Sequence, residues 1–180
     1  MSIRDDVDAA RRRDPSARSA LETALTYPGL HAVWSYRIAH RLWHGGHRFA
    51  ARVLSQSTRW WTGVEIHPAA RIGRRLFIDH GMGVVIGQTA VIGDDVTMYH
   101  GVTLGGTTWR PIKRHPTVGD RVLIGANATL LGAITVGSDS VVAAGAVVVA
   151  SAPAGSLLTG VPATARPRNP GDASVHNWVI

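Results

Sequence analysis

A six-residue spacing of aliphatic residues constrains the fold of this chain more than any other feature. The repeated positions are Ile66, Ile72 and Ile78, then Ile86, Ile92, Met98 and Leu104, then Val118, Ile124, Leu130, Val136, Val142 and Val148. Neither a helical period nor simple alternation accounts for this spacing. A period of six is typical of short strands turned at regular corners, with branched side chains stacked inward, and it predicts a parallel β-helix. Unrelated strands of a β-sandwich would need the spacing to recur by coincidence.

The repeat is interrupted at two places. The step from Ile78 to Ile86 is eight residues, and the extra pair falls within residues 79–83. The step from Leu104 to Val118 is fourteen residues and contains the polar and aromatic stretch 106–116. Loops on a rigid scaffold collect binding and catalytic residues. We therefore expect the chemistry to lie between residues 78 and 116.

Bulk composition limits the class of protein. A length of 180 residues is enough for one domain with a full core. The net charge of +7 fits coenzyme phosphates, or solubility alone, better than nucleic acid, because no nucleic-acid-binding motif accompanies it. The absence of cysteine excludes disulfides, thiol catalysis and zinc–thiolate sites. The absence of a signal peptide pattern and of a long apolar run predicts a soluble cytoplasmic protein without a membrane partner.

Helical patterns precede the repeat. Residues 3–13, 29–44 and 47–60 are predicted helices, which together form a basic cap. The chain thus divides into a helical region (1–62), a β-helix (63–165) and a flexible C-terminal tail (166–180). His40, His44 and His47 have a spacing that suits a metal on one helix face, but no carboxylate or thiol completes the set, so we interpret them as surface or packing residues.

Several motifs resemble one family closely. They are EIHPAARIG from Glu65, IDHGMGVVIG from Ile78, GVTLGGT from Gly101, KRHPTVGD from Lys113, VLIGANATLLG from Val122 and TGVPA from Thr159. In this order and spacing they resemble the serine O-acetyltransferases, hexapeptide-repeat acyltransferases of cysteine biosynthesis. The resemblance covers residues from about 4 to about 166. It implies a mainly β fold, a left-handed parallel β-helix with an N-terminal α-helical cap, assembled as a homotrimer.

Acetyl transfer to an alcohol needs a base, because a serine hydroxyl has a pKa far above neutral. His80 lies in the first interruption, and histidine is the side chain whose pKa suits this role. An orienting carboxylate is expected on its other nitrogen. Glu65 lies 15 residues earlier, so we expect Glu65 and His80 to stack on adjacent coils. The resemblance implies a His80–Glu65 dyad, although the family commonly has Asp at the position of Glu65. The alternative is that His80 is a structural loop residue.

Recognition of a free amino acid needs a charge at each end. Arginine suits the carboxylate and aspartate the ammonium group. The resemblance assigns Arg114 to the first role, Asp79 and Asp14 to the second, and His115 to a second active-site histidine that contacts the amino acid and stabilises the oxyanion. Asp14 is alternatively a simple helix-stop residue. Gln88 stands where the family usually has Glu.

The resemblance also implies acetyl-CoA as co-substrate and no metal. The pantetheine arm is expected along a prism edge between two subunits, at the small residues Gly106, Ala126 and Ala144. These are also ordinary corner residues of a β-helix. The coenzyme phosphates are expected at Arg121, or at Arg166 and Arg168.

Two further partners follow from the resemblance. L-cysteine is an expected feedback inhibitor at the serine site. The tail is an expected partner peptide, whose terminal Ile180 would enter the active site of cysteine synthase. No nucleic acid is expected.

Two other functions remain open at this point. One is a hexapeptide acetyltransferase that acts on a sugar hydroxyl in polysaccharide modification, although a neutral sugar has no need of both Arg114 and Asp79. The other is a β-helix zinc lyase resembling the carbonic anhydrases, with His80, His100 and His115 as ligands.

Overall fold

The computed structural model describes residues 2–169, which begin with four helices. These are α1 (Ile3–Arg13), α2 (Ala20–Thr26), α3 (Pro28–His44) and α4 (Arg48–Thr62). The strands that follow are β1 (Glu65–Ile66), β2 (Arg71–Ile72), β3 (Phe77–Ile78), β4 (Val85–Ile86), β5 (Val91–Ile92), β6 (Thr97–Met98), β7 (Thr103–Gly105), β8 (Thr117–Val118), β9 (Leu123–Ile124), β10 (Thr129–Leu131), β11 (Thr135–Val136), β12 (Val141–Val142), β13 (Val147–Val148), β14 (Ser156–Gly160) and β15 (Ala163–Pro167).

Local sequence explains where the helices begin and end. Ser2 and Asp5 form a capping box at the start of α1, and Ser19 accepts a hydrogen bond from the backbone of α2. Gly63 ends α4 with φ of 73°, a conformation that favours glycine. Helix α1 has the predicted bounds, α3 begins one residue earlier than predicted, and α4 ends two residues later. Helix α2 was not predicted, although its Ser19 cap is visible in the sequence.

The strands form a three-sided prism of parallel sheets. Face A contains β1, β4, β7, β10 and β13; face B contains β2, β5, β8 and β11; face C contains β3, β6, β9, β12 and β14, with β15 added at the end. Each coil of the chain contributes one strand to each face in turn. The predicted left-handed parallel β-helix with an N-terminal helical cap is confirmed.

The repeated aliphatic residues fill the inside of the prism. Along face A, Ile86, Leu104 and Leu130 follow one another in register, and each is at most 1% exposed. The coils stack closely where glycine follows the aliphatic residue. A Cβ at Gly125, for example, would lie 2.5 Å from the backbone nitrogen of Ala144 on the next coil. The period of six therefore reflects both the inward stacking of the aliphatic side chains and the close corners at the positions where glycine follows them.

Ion pairs connect the helical cap to the prism. Arg75 donates from Nε to Asp95 Oδ1 at 2.7 Å, between successive coils on the edge from face B to face C. Arg13, at the end of α1, donates to the backbone oxygen of Arg75 at 2.8 Å and to Asp95 Oδ1 at 3.1 Å. These bonds fix the end of α1, and with it Asp14, against the prism.

The last strand of the described chain extends beyond residue 165. The flexible tail was predicted from residue 166, but Arg166 and Pro167 belong to β15, which runs antiparallel to β14. The backbone bonds of this pairing thus extend to two residues that have no hexad spacing. Residues 170–180, including Ile180, lie outside the described residues. Within residues 2–169, no helix combines the length and apolar character needed to cross a membrane.

The inward stack makes a direct prediction about stability. Ile124 is fully buried, whereas Val149 is half exposed. We expect Ile124→Ala to lower the free energy of unfolding by about 2–5 kcal/mol, because it removes buried methylenes and leaves a cavity between rigid coils. Val149→Ala, the control, is expected to change it by less than about 0.5 kcal/mol. Chemical denaturation of both variants gives the comparison, and equal losses would contradict the proposed role of the stack.

Candidate functional site

The first interruption of the repeat places polar residues at the turn from face C to face A, which we call the C-to-A edge. His80 has φ of 58° and its side chain is 71% exposed. Its backbone nitrogen donates to Asp79 Oδ1 at 3.0 Å, and its Nε2 lies 3.8 Å from Asp79 Oδ2. The second distance is too long for a hydrogen bond. The ring of His80 is therefore presented to solvent with its nitrogens available.

Asp14 lies beside this turn. A cavity of about 230 Å³ is lined by Asp14, Ser16, Thr26, Tyr27, Pro28, Asp79 and His80. Asp14 accepts a hydrogen bond from the Tyr27 hydroxyl and another from the backbone nitrogen of Ser16 at 2.8 Å. Three predicted site residues, Asp14, Asp79 and His80, are thus brought together from α1 and the first coil.

The two carboxylates differ in their electrostatics. Burial, together with the nearby charge of Asp14, raises the pKa of Asp79, although His80 opposes this shift. Burial also acts to raise the pKa of Asp14, but the hydrogen bonds from Tyr27 and Ser16 outweigh it and the pKa is lowered. Two neighbouring carboxylates that disfavour each other's charge form a good environment for a cationic group.

Other predicted residues continue along the same edge. The rings of His80 and His100 lie 5.8 Å apart, centroid to centroid. His100 accepts the backbone hydrogen bond of Asn127, and Ala126 accepts that of Gly145 on the next coil. Ala144 is exposed, whereas Ala126 is 5% exposed. The C-to-A edge therefore carries His80 at one end and a strip of small residues towards the other.

The second interruption forms a cluster at the turn from face A to face B, the A-to-B edge. Thr89 is its centre: Oγ1 accepts from the backbone nitrogens of Arg114 at 3.0 Å and His115 at 3.1 Å, and contacts His115 Nδ1 at 2.8 Å. Arg114 donates to Gln88 Oε1 at 2.9 Å. A Cβ at Gly106 would lie 3.2 Å from Arg114 Cγ, so a glycine there gives the arginine room. Within residues 2–169 the Arg114 guanidinium donates to Gln88 and to the backbone oxygen of Arg110, and both acceptors are neutral.

The histidines of this edge are held in the neutral form. Burial lowers the pKa of His115, and the charges of Arg114 and Lys113 act in the same direction. Because the backbone nitrogen of Thr89 donates to His115 Nδ1, the ring proton is placed on Nε2. Burial, assisted by Arg52, lowers the pKa of the adjacent His67 to about 4. His115 can therefore donate one hydrogen bond from Nε2.

Glu65 is not joined to His80. Its carboxylate lies 3.0 Å from Arg59 Nη1, and the residue is in register with Val85 on face A. Among residues 2–169, no hydrogen bond connects Glu65 and His80, so the predicted dyad stays a prediction.

Two residues of the site were missed from sequence. Thr89 orients both Arg114 and His115, and Tyr27 binds Asp14. Thr89 follows the first interruption at a coil corner, which is a visible signal. No sequence signal marks Tyr27, because its hydrogen-bond partner Asp14 lies 13 residues away along the chain, on the other side of α2. In the part of the chain that the structure describes, no three His, Cys, Asp or Glu side chains are grouped to hold a metal ion.

Comparison with known proteins defines the family. The model for bacterial transferase hexapeptide (six repeats) matches residues 115–150. The serine acetyltransferase of Mycobacterium tuberculosis is 58% identical over 161 residues, which cover 89% of this chain and 70% of the relative. The chain belongs to the serine acetyltransferase family. The sugar acetyltransferase and zinc lyase alternatives are therefore not supported.

Solved structures of serine acetyltransferases agree with this family membership. The enzyme of Neisseria gonorrhoeae is 42% identical, with a TM-score of 0.90, over 92% of this chain and 64% of that one, and it has also been solved in complex with serine. The enzyme of Brucella abortus strain S19, in complex with coenzyme A, is 42% identical with a TM-score of 0.90 over 93% of this chain and 67% of that one. The chain thus spans about two thirds of the length of these serine acetyltransferases.

The low pKa of His67 predicts how stability depends on pH. The folded pKa of about 4 is below the ordinary value of 6.5, so the unfolded chain binds more protons between these values. The free energy of unfolding should therefore fall as the pH is lowered from about 6.5 to about 4. In His67→Gln this dependence should be weaker, and in His44→Gln, which changes an exposed histidine, it should be kept. Thermal melts across this range test the point, and a wild-type dependence in His67→Gln would contradict it.

Proposed function

We propose that this chain transfers the acetyl group of acetyl-CoA to the hydroxyl of L-serine, at a site assembled from two copies of the chain. The activity follows from family membership: the relatives are serine acetyltransferases, acyltransferases that use acetyl-CoA. One observation supports a site built from two copies: the groups suited to the two ends of an amino acid lie on different edges of the prism. Asp14 and Asp79 face one cavity on the C-to-A edge, and Arg114 is held on the A-to-B edge.

The two edges border the same face of the prism. In a single chain, face A separates the paired carboxylates from the arginine, so neither edge alone holds both ends of a zwitterion. When face A of one copy meets a neighbouring copy, the C-to-A edge of the first can approach the A-to-B edge of the second. A repeated contact of this kind closes into a ring, and the proposed homotrimer would hold three equivalent sites.

The residues of face A suit such a contact. After Glu65 on the first strand, its outward positions Val85, Thr103, Thr129 and Val147 are stacked in register and uncharged. Large apolar side chains are exposed at both bordering edges: Met82 on one, Trp109 and Ile112 on the other. Uncharged cores with exposed aromatic and methionine side chains are typical of protein interfaces.

His80 is the proposed general base. It takes the proton of the serine hydroxyl as the oxygen attacks the thioester carbonyl of acetyl-CoA. The C–S bond then breaks, and the coenzyme sulfur receives the proton from His80, which returns to its neutral form. His115, with its proton on Nε2, would donate to the oxygen of the tetrahedral intermediate. Glu65 would orient His80 once its carboxylate leaves Arg59.

Acetyl-CoA is proposed to lie between the two edges. Gly106 and Ala144 are exposed and leave backbone accessible to the pantetheine arm, and Ala126 lies between the coils that carry His100 and Ala144. Arg121, one predicted phosphate ligand, is already paired with Asp139 at 2.7 Å. Arg166 and Arg168 are the other predicted phosphate ligands.

The remaining partners belong to the same proposal. L-cysteine, which differs from serine by one atom, would compete at the same carboxylates and arginine as a feedback inhibitor. A complex with cysteine synthase through Ile180 is proposed from the family resemblance, as is the cytoplasmic location of the enzyme.

The decisive assay for this function measures thiol release from acetyl-CoA with different acceptors. L-serine, homoserine and a panel of sugars should be compared at equal concentration. We expect turnover with L-serine and none with neutral sugars, because only an amino acid uses both charged groups. Turnover with a sugar and not with L-serine would overturn the proposal.

The general base makes a first prediction about turnover. His80→Ala should reduce kcat by about 10²–10⁴-fold and leave the chain folded, since His80 is exposed. Glu65→Gln should reduce it less, because it disturbs orientation and not the base. The assay is steady-state turnover of both variants with circular dichroism as a folding control. Activity of His80→Ala within tenfold of wild type would remove His80 from the mechanism.

Arg114 makes a second prediction, about substrate affinity. Arg114→Lys should raise the KM for L-serine much more than that for acetyl-CoA, since lysine keeps the charge but loses the two-pronged geometry. Initial rates with each substrate varied in turn separate the two constants. An effect on acetyl-CoA alone would assign Arg114 to the phosphates.

A further inference from the structure

Positive charge is distributed unevenly along this chain. Between Glu22 and Asp79 the only acidic residue is Glu65, whereas the same stretch contains eight arginines. Four of these arginines have carboxylate partners: Arg37, Arg59, Arg74 and Arg75. The backbone nitrogen of Arg71 donates to Ala90 on the next coil, but its guanidinium makes no hydrogen bond or ion pair with any residue from 2 to 169. An unpaired guanidinium on a folded surface is a candidate anion ligand.

Arg71 lies at a cavity that contains a second cation. The cavity has a volume of about 340 Å³ and is lined by Ala69, Arg71, Gln88, Thr89, Ala90, Val91 and Lys113. Arg71 is the first residue of β2 and projects from face B, and Lys113 reaches the cavity from the loop between β7 and β8. None of the lining residues is acidic. The cavity is therefore roomy, polar and positively charged.

Lys113 is fixed in place although it has no carboxylate partner. Its Nζ donates to the backbone oxygens of Thr89 at 2.6 Å and Pro116 at 3.2 Å. Burial lowers the pKa of Lys113, and the positive charge of Arg71 lowers it further. Two cations that disfavour each other across a cavity are stabilised by an anion between them. The held ammonium group and the free fork of a guanidinium supply donors of the kind that bind oxyanions.

A second cavity extends the positive surface on the other side of Arg71. It has a volume of about 280 Å³ and is lined by Tyr36, Arg37, His40, Arg41, Arg71 and Ile72. Arg71 thus lies between two cavities, so a molecule that carries an oxyanion would have room on either side of the guanidinium.

We propose that Arg71 and Lys113 form a binding site for a phosphate or sulfate dianion on face B. The site is separate from the proposed serine site but adjacent to it, since Lys113 precedes Arg114 and Thr89 contacts both clusters. The dianion is either free in solution or the 3′-phosphate of a coenzyme A molecule bound to a neighbouring copy. Both sources share the chemistry that the two cations recognise.

Direct binding of inorganic phosphate tests the site without any turnover. Isothermal titration of the full chain, at constant ionic strength balanced with chloride, should show saturable binding. Arg71→Gln and Lys113→Gln should each weaken it by at least about 10-fold, the loss expected for one charge-assisted hydrogen bond. Arg71→Gln is the decisive variant, because the Arg71 side chain has no bond within the described chain whose loss would disturb folding, and the backbone bond to Ala90 is kept.

Arg74→Gln is the matched control, with the same change of charge three residues away at an exposed ion pair. It should bind phosphate like the wild type. The absence of saturable binding to the wild type would overturn the proposal. An equal loss of binding in Arg74→Gln would also overturn it, because net charge alone would then explain the binding. Neither outcome bears on acetyl transfer to serine.

Competition then identifies the source of the dianion. If coenzyme A displaces phosphate and 3′-dephospho-coenzyme A does not, the site holds the coenzyme phosphate. If neither displaces phosphate, the site serves a free dianion. Displacement by both to the same extent would overturn the assignment to a 3′-phosphate, because the site would then recognise a group that the two coenzymes share.

Discussion

The register of inward aliphatic side chains along the prism is the constraint on which the rest of this structure depends. Each coil places one such residue on each face, and the next coil covers it, so Ile86, Leu104 and Leu130 are almost completely excluded from water. Burial of this kind stabilises the coil only if the spacing is kept. Every insertion must therefore leave the prism at a corner, and both insertions of this chain do so.

The corners consequently carry the chemistry, and their positions decide what each can do. The first insertion presents His80 beside Asp79, and Arg13 anchors the end of α1 so that Asp14 joins them. The second insertion is folded back by Thr89, which fixes Arg114 and His115 through three contacts of one hydroxyl. A single rigid prism thus holds two polar clusters at a fixed separation, one anionic and one cationic.

Much of this arrangement was predictable from the sequence because it is local. The inward residues, the corners and the two insertions all follow from the six-residue count. His80, Asp79, Arg114 and His115 were predicted as site residues because they lie in the insertions and match motifs of the family. Contacts between distant segments were not predictable in the same way. The bond of Tyr27 to Asp14 depends on how α2 turns back, and the ion pair of Glu65 with Arg59 depends on how α4 packs against β1.

The sequence by itself determined the fold and the family, because a period of six has few physical solutions and the motifs occur in an order typical of serine acetyltransferases. Only the tertiary structure decided which charges meet. Counting along the chain cannot tell that Arg71 and Lys113, forty-two positions apart, converge on one cavity while Arg75 is neutralised by Asp95. Charge pairing depends on distance in space, and in a prism that distance is set by which edge and which coil each residue occupies.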